Sequence, residues 1–418
     1  MAEYVIIGNG IASTGCIEGI RSLDKDSKIS VVAAEKYPTY CRPLISYMLE
    51  GKTDAEKMKY RPDSYYEENN VEVLYGRKVV SIDPDSKKAV LDDGSCISYT
   101  ALCNATGSSP FIPHFDGLEK VEKKFSFMTL DDAFGLDSAI DPDSRVLIIG
   151  AGLIGLKCAE GICERVKKIT VCDLADRILS SILDGECAAM MEKPLKEKGV
   201  EFMLNDSAAS FEVNPADGSY TAIMKSGKSV DFDVVVLAIG VRANTELVKE
   251  AGGECGRGII VDRSMKTSLD DIYAAGDCAE GFDSSINANR VLAILPNAYM
   301  QGHCAGRNMA GAVETFDNAI PMNSIGFFGL HAMSAGSYPD DGEIYEEKTE
   351  TTLKRLFIKD GYLKGFMLIG DIQRAGIYTS LIRERVSLDT IDFDVLKKSP
   401  SLAAFSSDKR FTKLGGVV

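Results

Sequence analysis

Two stretches of this sequence carry glycines at a spacing suited to phosphate chemistry. The first is Tyr4-Val5-Ile6-Ile7-Gly8-Asn9-Gly10-Ile11-Ala12-Ser13, an apolar strand running into a glycine turn and then a helix expected through Arg21. Glycine at positions 8 and 10 permits the tight turn and lets backbone N–H groups approach a pyrophosphate at a helix N-terminus, where the dipole favours anions. A second apolar run, Ile29 to Ala34, ends at Glu35, which is placed to accept hydrogen bonds from a ribose hydroxyl pair. Ser13 stands where a third glycine is usual, small enough for close packing but a departure from the pattern.

The second stretch is more regular: Arg145-Val146-Leu147-Ile148-Ile149-Gly150-Ala151-Gly152-Leu153-Ile154-Gly155, a helix to about Arg165, a strand Ile169 to Cys172, then Asp173. A carboxylate at that place hydrogen-bonds a free ribose 2′-hydroxyl and repels a 2′-phosphate, so Asp173 predicts a preference for NADH over NADPH. The competing reading of either stretch is a glycine-rich packing turn, and the presence of two such units weighs against it.

Between and after them lie Ala105-Thr106-Gly107-Ser108, Ala238-Ile239-Gly240 and Ile272-Tyr273-Ala274-Ala275-Gly276-Asp277, with Tyr40-Cys41-Arg42-Pro43-Leu44-Ile45-Ser46 nearer the start. In this order, over about residues 3 to 385, the chain resembles the two-nucleotide flavoproteins of the pyridine nucleotide-disulfide oxidoreductase superfamily, and within it the NADH:rubredoxin reductase and nitrite reductase flavoprotein branch. The resemblance implies FAD on the first unit, held by Gly8, Gly10, Ser13, Glu35, Arg42, Pro43, Val79, Ala105, Thr106, Gly107, Gly276, Asp277 and Pro296. It implies NADH on the second, held by Gly150, Gly152, Ile154, Gly155, Asp173 and Gly240. It also implies hydride transfer from C4 of NADH to N5 of FAD, a matter of stacking and positioning that needs no protein acid or base. Asp277 has independent physical sense, because Gly276 allows close backbone approach and a carboxylate after an apolar strand can accept ribityl hydroxyls. An isolated Gly-Asp is otherwise a turn. Pro296 suits the first turn of a helix from Asn297 to Met309, whose N-terminus faces the flavin pyrimidine edge in relatives and favours negative charge there.

Two catalytic candidates come from departures. Relatives that reduce disulfides carry Cys-x4-Cys near the start of the FAD domain. Here the only such pair is Cys158 and Cys163, within the second unit's helix. Five residues on a helix turn those side chains roughly 140° apart, onto different faces. Cys41 lies near the reactive thiol of coenzyme A-disulfide reductases and water-forming NADH oxidases, and Arg42 beside it can lower a thiol pKa. The glycine that commonly follows that cysteine is absent, and Ile11 stands where those relatives often have histidine. Lys157 occupies a position at which many relatives have Glu paired with a Lys, the latter corresponding to Tyr47. The cation predicts stabilisation of anionic reduced flavin or orientation of the carboxamide, against the alternative of a side chain turned to solvent.

The elements that must position these groups define an α/β protein with two Rossmann-like dinucleotide-binding domains and a C-terminal α+β interface domain. The FAD domain is expected to be discontinuous, 1–112 and 241–314, around an NAD domain at 113–240. Asp92-Asp93-Gly94 reads as a hairpin turn of a small accompanying sheet. The remainder, 315–418, is expected to form a cap over the flavin or a dimer contact. Its expected parts are strands Ser324 to Leu330, Leu353 to Ile358 and Tyr362 to Ile369, a Lys359-Asp360-Gly361 turn, a helix Ala375 to Glu384, and an extended arm from Ile391.

Composition narrows the partners. The 418 residues are 45% hydrophobic and 26% charged, a globular balance, with a net charge of -15 that disfavours nucleic acid and anionic membrane. The longest apolar runs, Val146 to Leu156 and Val234 to Gly240, fall short of the roughly 18 residues of a membrane span. The opening Met-Ala-Glu passes at once into a strand, with no leader pattern, and predicts a cytoplasmic protein. Eleven scattered cysteines and three histidines, His114, His303 and His331, suggest neither a disulfide framework nor a metal site. Without a disulfide relay, electrons are expected to leave near Tyr40 to Tyr47 and the C-terminal cap, toward a rubredoxin, a ferredoxin or an iron-sulfur subunit. Such carriers are usually acidic, as is this chain, and the five Lys or Arg against three Asp from Ile391 onward form the one candidate docking patch. The alternatives are a Cys41 thiol enzyme, an NADH oxidase, or a non-catalytic flavoprotein subunit.

Overall fold

The computed structural model describes residues 2–214, 218–408 and 410. Two parallel five-stranded sheets organise it. In the first, the order is Ile272–Ala274, Ala101–Asn104, Glu3–Ile7, Lys28–Ala33, Val71–Tyr75. In the second it is Val200–Leu204, Lys168–Asp173, Arg145–Ile149, Val234–Leu237, Lys124–Phe125. The inner strands are apolar on both faces because helices cover both sides of a parallel sheet. Thus Ile6 pairs with Val31 on one side and Cys103 on the other, and Ile148 with Val171 and Val236, all six buried. Each glycine turn follows the strand at which the order reverses, where open α/β sheets bind ligands beyond the strand ends.

A two-stranded ribbon, Ser108–Pro110 against Val241–Ala243, joins the places where the chain leaves the first sheet and returns to it. Small antiparallel sheets flank each large one: Val79–Asp83, Lys88–Leu91 and Cys96–Ser98 beside the first, and Ala208–Val213, Tyr220–Met224 and Ser229–Phe232 beside the second. The C-terminal part is a five-stranded antiparallel sheet ordered Met322–Phe327, Leu330–Gly336, Tyr362–Ile369, Leu353–Lys359, Glu343–Lys348, covered by the helix Ala375–Arg383. No helix among the described residues is long and apolar enough to cross a membrane.

Two expectations change here. The strand expected over Ser324 to Leu330 is a hairpin: Phe328 at φ 48° and Gly329 at φ 89° turn the chain between two strands. The run Ile325-Gly326-Phe327-Phe328-Gly329-Leu330 hides this, since its apolar residues continue through the turn. Nor is the segment from Ile391 an extended arm. The helix Phe393–Lys398 and the turn Leu402–Ala404 fold back on the C-terminal sheet and bury Leu396, Ala404 and Phe405. Within the expected basic patch, Lys397 pairs with Asp394, and Lys409 and 411–418 lie outside the described residues.

Candidate functional site

The first glycine turn is shaped by contact. A Cβ on Gly8, at φ 104°, would stand 2.3 Å from the Ala105 carbonyl oxygen, so only glycine lets the two crossing strand ends meet. A Cβ on Gly10 would meet nothing within 4 Å, leaving room over the helix N-terminus for a ligand. Ser13 is fully buried in the helix Ile11–Leu23. The second turn repeats this geometry: a Cβ on Gly150 would stand 2.2 Å from the Ala238 carbonyl oxygen and one on Gly155 would stand 2.0 Å from that of Gly150, while Gly152 and Gly240 face open space. Ile154 is half-buried beside it.

A cleft opens beside the first turn. Of the expected FAD residues it is lined by Gly10, Arg42, Ala105, Gly107, Gly276 and Asp277, and it adds Asn9, Tyr40 and Tyr60. Leu295 and Ala298 line it from the helix Leu295–Met309, whose N-terminal turn therefore borders the cleft. Pro296 itself is exposed, Pro43 lies exposed in the short turn Arg42–Leu44, and Val79 is buried in the first core away from the lining. Thr106 is tied to Asn244, whose side-chain amide donates to the Thr106 carbonyl at 2.8 Å.

Two carboxylates hold the charged groups of the cleft, Asp277 in its lining and Glu35 behind Tyr40 and Arg42. Glu35, expected to face a ribose, accepts the Tyr40 hydroxyl at 2.6 Å and pairs with the Arg42 guanidinium, so its carboxylate is already engaged by protein partners. Burial pushes the Tyr40 phenol above its ordinary range, and the hydrogen bond to Glu35 adds to this. Asp277 accepts the Ser108 hydroxyl at 3.1 Å, and its carboxyl is pushed up by burial, with Ser108 and Arg42 opposing. At the second turn, Asp173 accepts the Ala151 N–H at 2.7 Å and the Ala175 N–H at 2.8 Å. It thus fixes the glycine turn while keeping lone pairs for a ligand.

The redox candidates separate. Cys158 is fully buried, Cys163 has its thiol pushed up by burial to about 11, and all eleven cysteines are free thiols. Cys41 is half-buried between the lining residues Tyr40 and Arg42, and the Tyr60 phenol, which lines the same cleft, stands beside it. Lys157 does not turn to solvent: its side chain is 18% exposed, it pairs with Glu160, and its ammonium lies 4.4 Å from the centre of the Tyr47 ring. The cation expected to stabilise reduced flavin or orient the carboxamide is thus paired within its own helix and does not line the cleft. No group of three metal-ligating side chains occurs among the described residues.

Sequence reasoning missed the way the cleft is closed. A Cβ on Gly15 or Gly19 would stand 2.2 or 2.3 Å from the Tyr299 or His303 carbonyl oxygen, and one on Gly302 or Gly306 would stand 2.0 or 2.1 Å from that of Ala12 or Cys16. Glycines four apart on both helices let their backbones touch, which draws the N-terminus of Leu295–Met309 onto the first turn. The matching Gly-x3-Gly spacings were the available signal. Glu160 was likewise visible three residues after Lys157 on one helix.

Two parallel sheets with paired glycine turns, and a cleft bordered by a half-buried carboxylate and a helix N-terminus, have the form of a two-nucleotide flavoprotein reductase. The profile of the pyridine nucleotide-disulphide oxidoreductases matches residues 2–302, and the chain belongs to that family. It is an FAD- and NAD(P)H-dependent oxidoreductase. The chain is 31% identical over 394 residues to the NADH-dependent phenylglyoxylate dehydrogenase subunit epsilon of Aromatoleum evansii, covering 92% of each. It is 30% identical over 404 residues to the assimilatory nitrate reductase electron transfer subunit of Bacillus subtilis, covering 95% of this chain and 50% of that one. The chain therefore spans half the length of that relative. In fold it is similar to putidaredoxin reductase in its covalent complex with putidaredoxin, at a TM-score of 0.87 and 23% identity over 100% and 99% of the two chains.

Proposed function

We propose that this protein takes electrons from NADH and passes them to a separate one-electron acceptor, an iron-sulfur subunit or small redox protein. The observation that carries this reading is the Tyr40–Arg42 side of the cleft, where Cys41 has a phenol and no second cysteine as its partner. The relatives named as a dehydrogenase subunit and as an electron transfer subunit support the same assignment.

The open space at Gly10, the half-buried Asp277 carboxylate and the helix N-terminus at Leu295 fit FAD, and the open space at Gly152 and Gly240 with Asp173 fits NADH. When bound, the flavin supplies the conversion of a two-electron donor into single electrons. The protein's part is placement. Gly8 and Gly10 with Ala105, Thr106 and Gly107 cradle the pyrophosphate, Glu35 takes the adenosine ribose, and Asp277 beside Gly276 accepts ribityl hydroxyls. Arg42 and Pro43 flank the ring system, and the helix opening at Pro296 offers the positive end of its dipole where the ring becomes electron-rich. Gly150, Gly152, Ile154, Gly155 and Gly240 seat the second nucleotide, with Asp173 selecting a free 2′-hydroxyl. The division into 1–112 with 241–314, 113–240 and 315–418 is part of this reading, the ribbon at Ser108–Pro110 and Val241–Ala243 being its hinge.

Anaerobic titration with NADH tests the proposal. Bleaching complete at two electrons per flavin is expected. Uptake of four would instead favour a Cys41 thiol enzyme, the second reading that the thiol beside the Tyr60 phenol supports. Failure of NADH to bleach the flavin would favour a non-catalytic subunit.

A further inference from the structure

The helix after the second glycine turn, Leu153–Ile162, carries an ion pair that touches the other two parts of the protein. Lys157 and Glu160 stand three residues apart on it, 18% and 5% exposed. The second oxygen of Glu160 accepts the Phe328 N–H at 3.0 Å, and the Lys157 ammonium reaches the Gly326 carbonyl at 3.5 Å. The pair therefore grips the end of the strand Met322–Phe327 and its turn from both sides. In the other direction the ammonium lies over Tyr47, which belongs to the short helix Ile45–Leu49 directly after the Arg42–Leu44 turn. Lys52, paired with Glu50, approaches the same ring at 5.6 Å. The two helices are in backbone contact, since a Cβ on Gly161 would stand 2.9 Å from the Ser46 carbonyl oxygen.

A carboxylate this deeply buried is costly unless its oxygens are taken up, and here both are. Neither Lys157 nor Glu160 lines the cleft. We infer that the Lys157–Glu160 pair is a latch between domains and that Glu160 is a positioning residue. It seats the NADH-side helix on the flavin-side helix and the C-terminal hairpin, and so sets how fast NADH reduces the flavin. The inference rests on the two-nucleotide reading above. Its physical basis is that transfer between stacked rings depends steeply on approach, and a shift of about 1 Å from a remote change can cost on the order of 100-fold in rate.

The test is anaerobic stopped-flow reduction of the purified flavoprotein by saturating NADH, with dithionite as a reductant that needs no second site. Glu160→Gln keeps the shape and removes the charge. It is expected to retain FAD and its dithionite reduction while the limiting rate with NADH falls roughly tenfold or more. Glu160→Asp, which keeps the charge, should recover most of that rate. Tyr47→Leu leaves the ion pair in place and should also slow reduction, which keeps the latch testable if the Gln variant folds poorly. A lowered melting temperature with an unchanged limiting rate in both Glu160→Gln and Tyr47→Leu would overturn it. If NADH leaves the flavin of the unaltered protein oxidised while dithionite bleaches it, the two-nucleotide reading has failed instead.

Discussion

Asp277 carries the clearest electrostatic conflict in the first cleft. Burial raises its carboxyl pKa, which means that folding disfavours the ionised form. Stability from this group is present at low pH and is lost as pH rises from the ordinary carboxylate value through the raised one. In FAD-free protein, Asp277→Asn should therefore raise the melting temperature at pH 7 and flatten its decline between acid and neutral pH. The same change removes an ionic acceptor and should weaken FAD binding by about tenfold or more, read by flavin fluorescence on adding FAD to apoprotein. Equal affinity in the two proteins would remove Asp277 from the site. At the second turn, Asp173→Ala frees two backbone amides, so both pyridine nucleotides should bind less well. The discriminating quantity is the ratio of kcat/KM for NADH over NADPH, expected to fall at least about tenfold once the repelling carboxylate is gone. An unchanged ratio would leave Asp173 as a loop organiser only.

Helix contact decides whether the cleft has a positive end. Gly15 and Gly19 interlock with Gly302 and Gly306, so any side chain there must separate the helices. Gly302→Ala places a methyl group 2.0 Å from the Ala12 carbonyl oxygen. The expected cost is about 1–3 kcal/mol, seen as a lower melting temperature and as protein that loses its yellow colour on purification. Retained flavin and unchanged melting would mean that the crossing yields without cost. Legibility differs sharply between such elements. Gly8, Gly150, Asp173 and Asp277 are readable because a sharp turn or a close approach restricts residue type locally. The Phe328-Gly329 turn is not, because apolar residues continue through it. The segment after Ile391 reads as an arm for the opposite reason: its Ser, Lys and Pro conceal the few apolar residues, Leu396 and Phe405 among them, that dock it.

At the scale of the whole molecule, a net charge of -15 sets the field an incoming acceptor meets. Like charges repel, and salt screens them over about 8–10 Å at 0.1–0.15 M. Reduction of a strongly acidic one-electron carrier should therefore speed up as ionic strength rises from about 10 mM to that range. A rate that falls with salt would reveal a local basic docking patch that outweighs the net field. The charges also hold the parts together: Arg355 on the C-terminal sheet, 13% exposed, meets Asp184 and Glu186 at the start of the helix Gly185–Glu197 as well as Glu346 on its own sheet. This network and the Lys157–Glu160 pair both fasten the C-terminal sheet to the second nucleotide unit.

The sequence by itself determined the two glycine turns and the parallel sheets beneath them, because backbone freedom and apolar runs are written residue by residue, and its resemblance to a known family implied the two nucleotides. Only the tertiary structure decided that Lys157 faces a carboxylate rather than solvent, that the Leu295 helix closes on the first turn, and that the last segment folds back. Those outcomes depend on which surfaces distant parts of the chain bring together, and a buried charge or a bare helix backbone takes its meaning from the partner it meets.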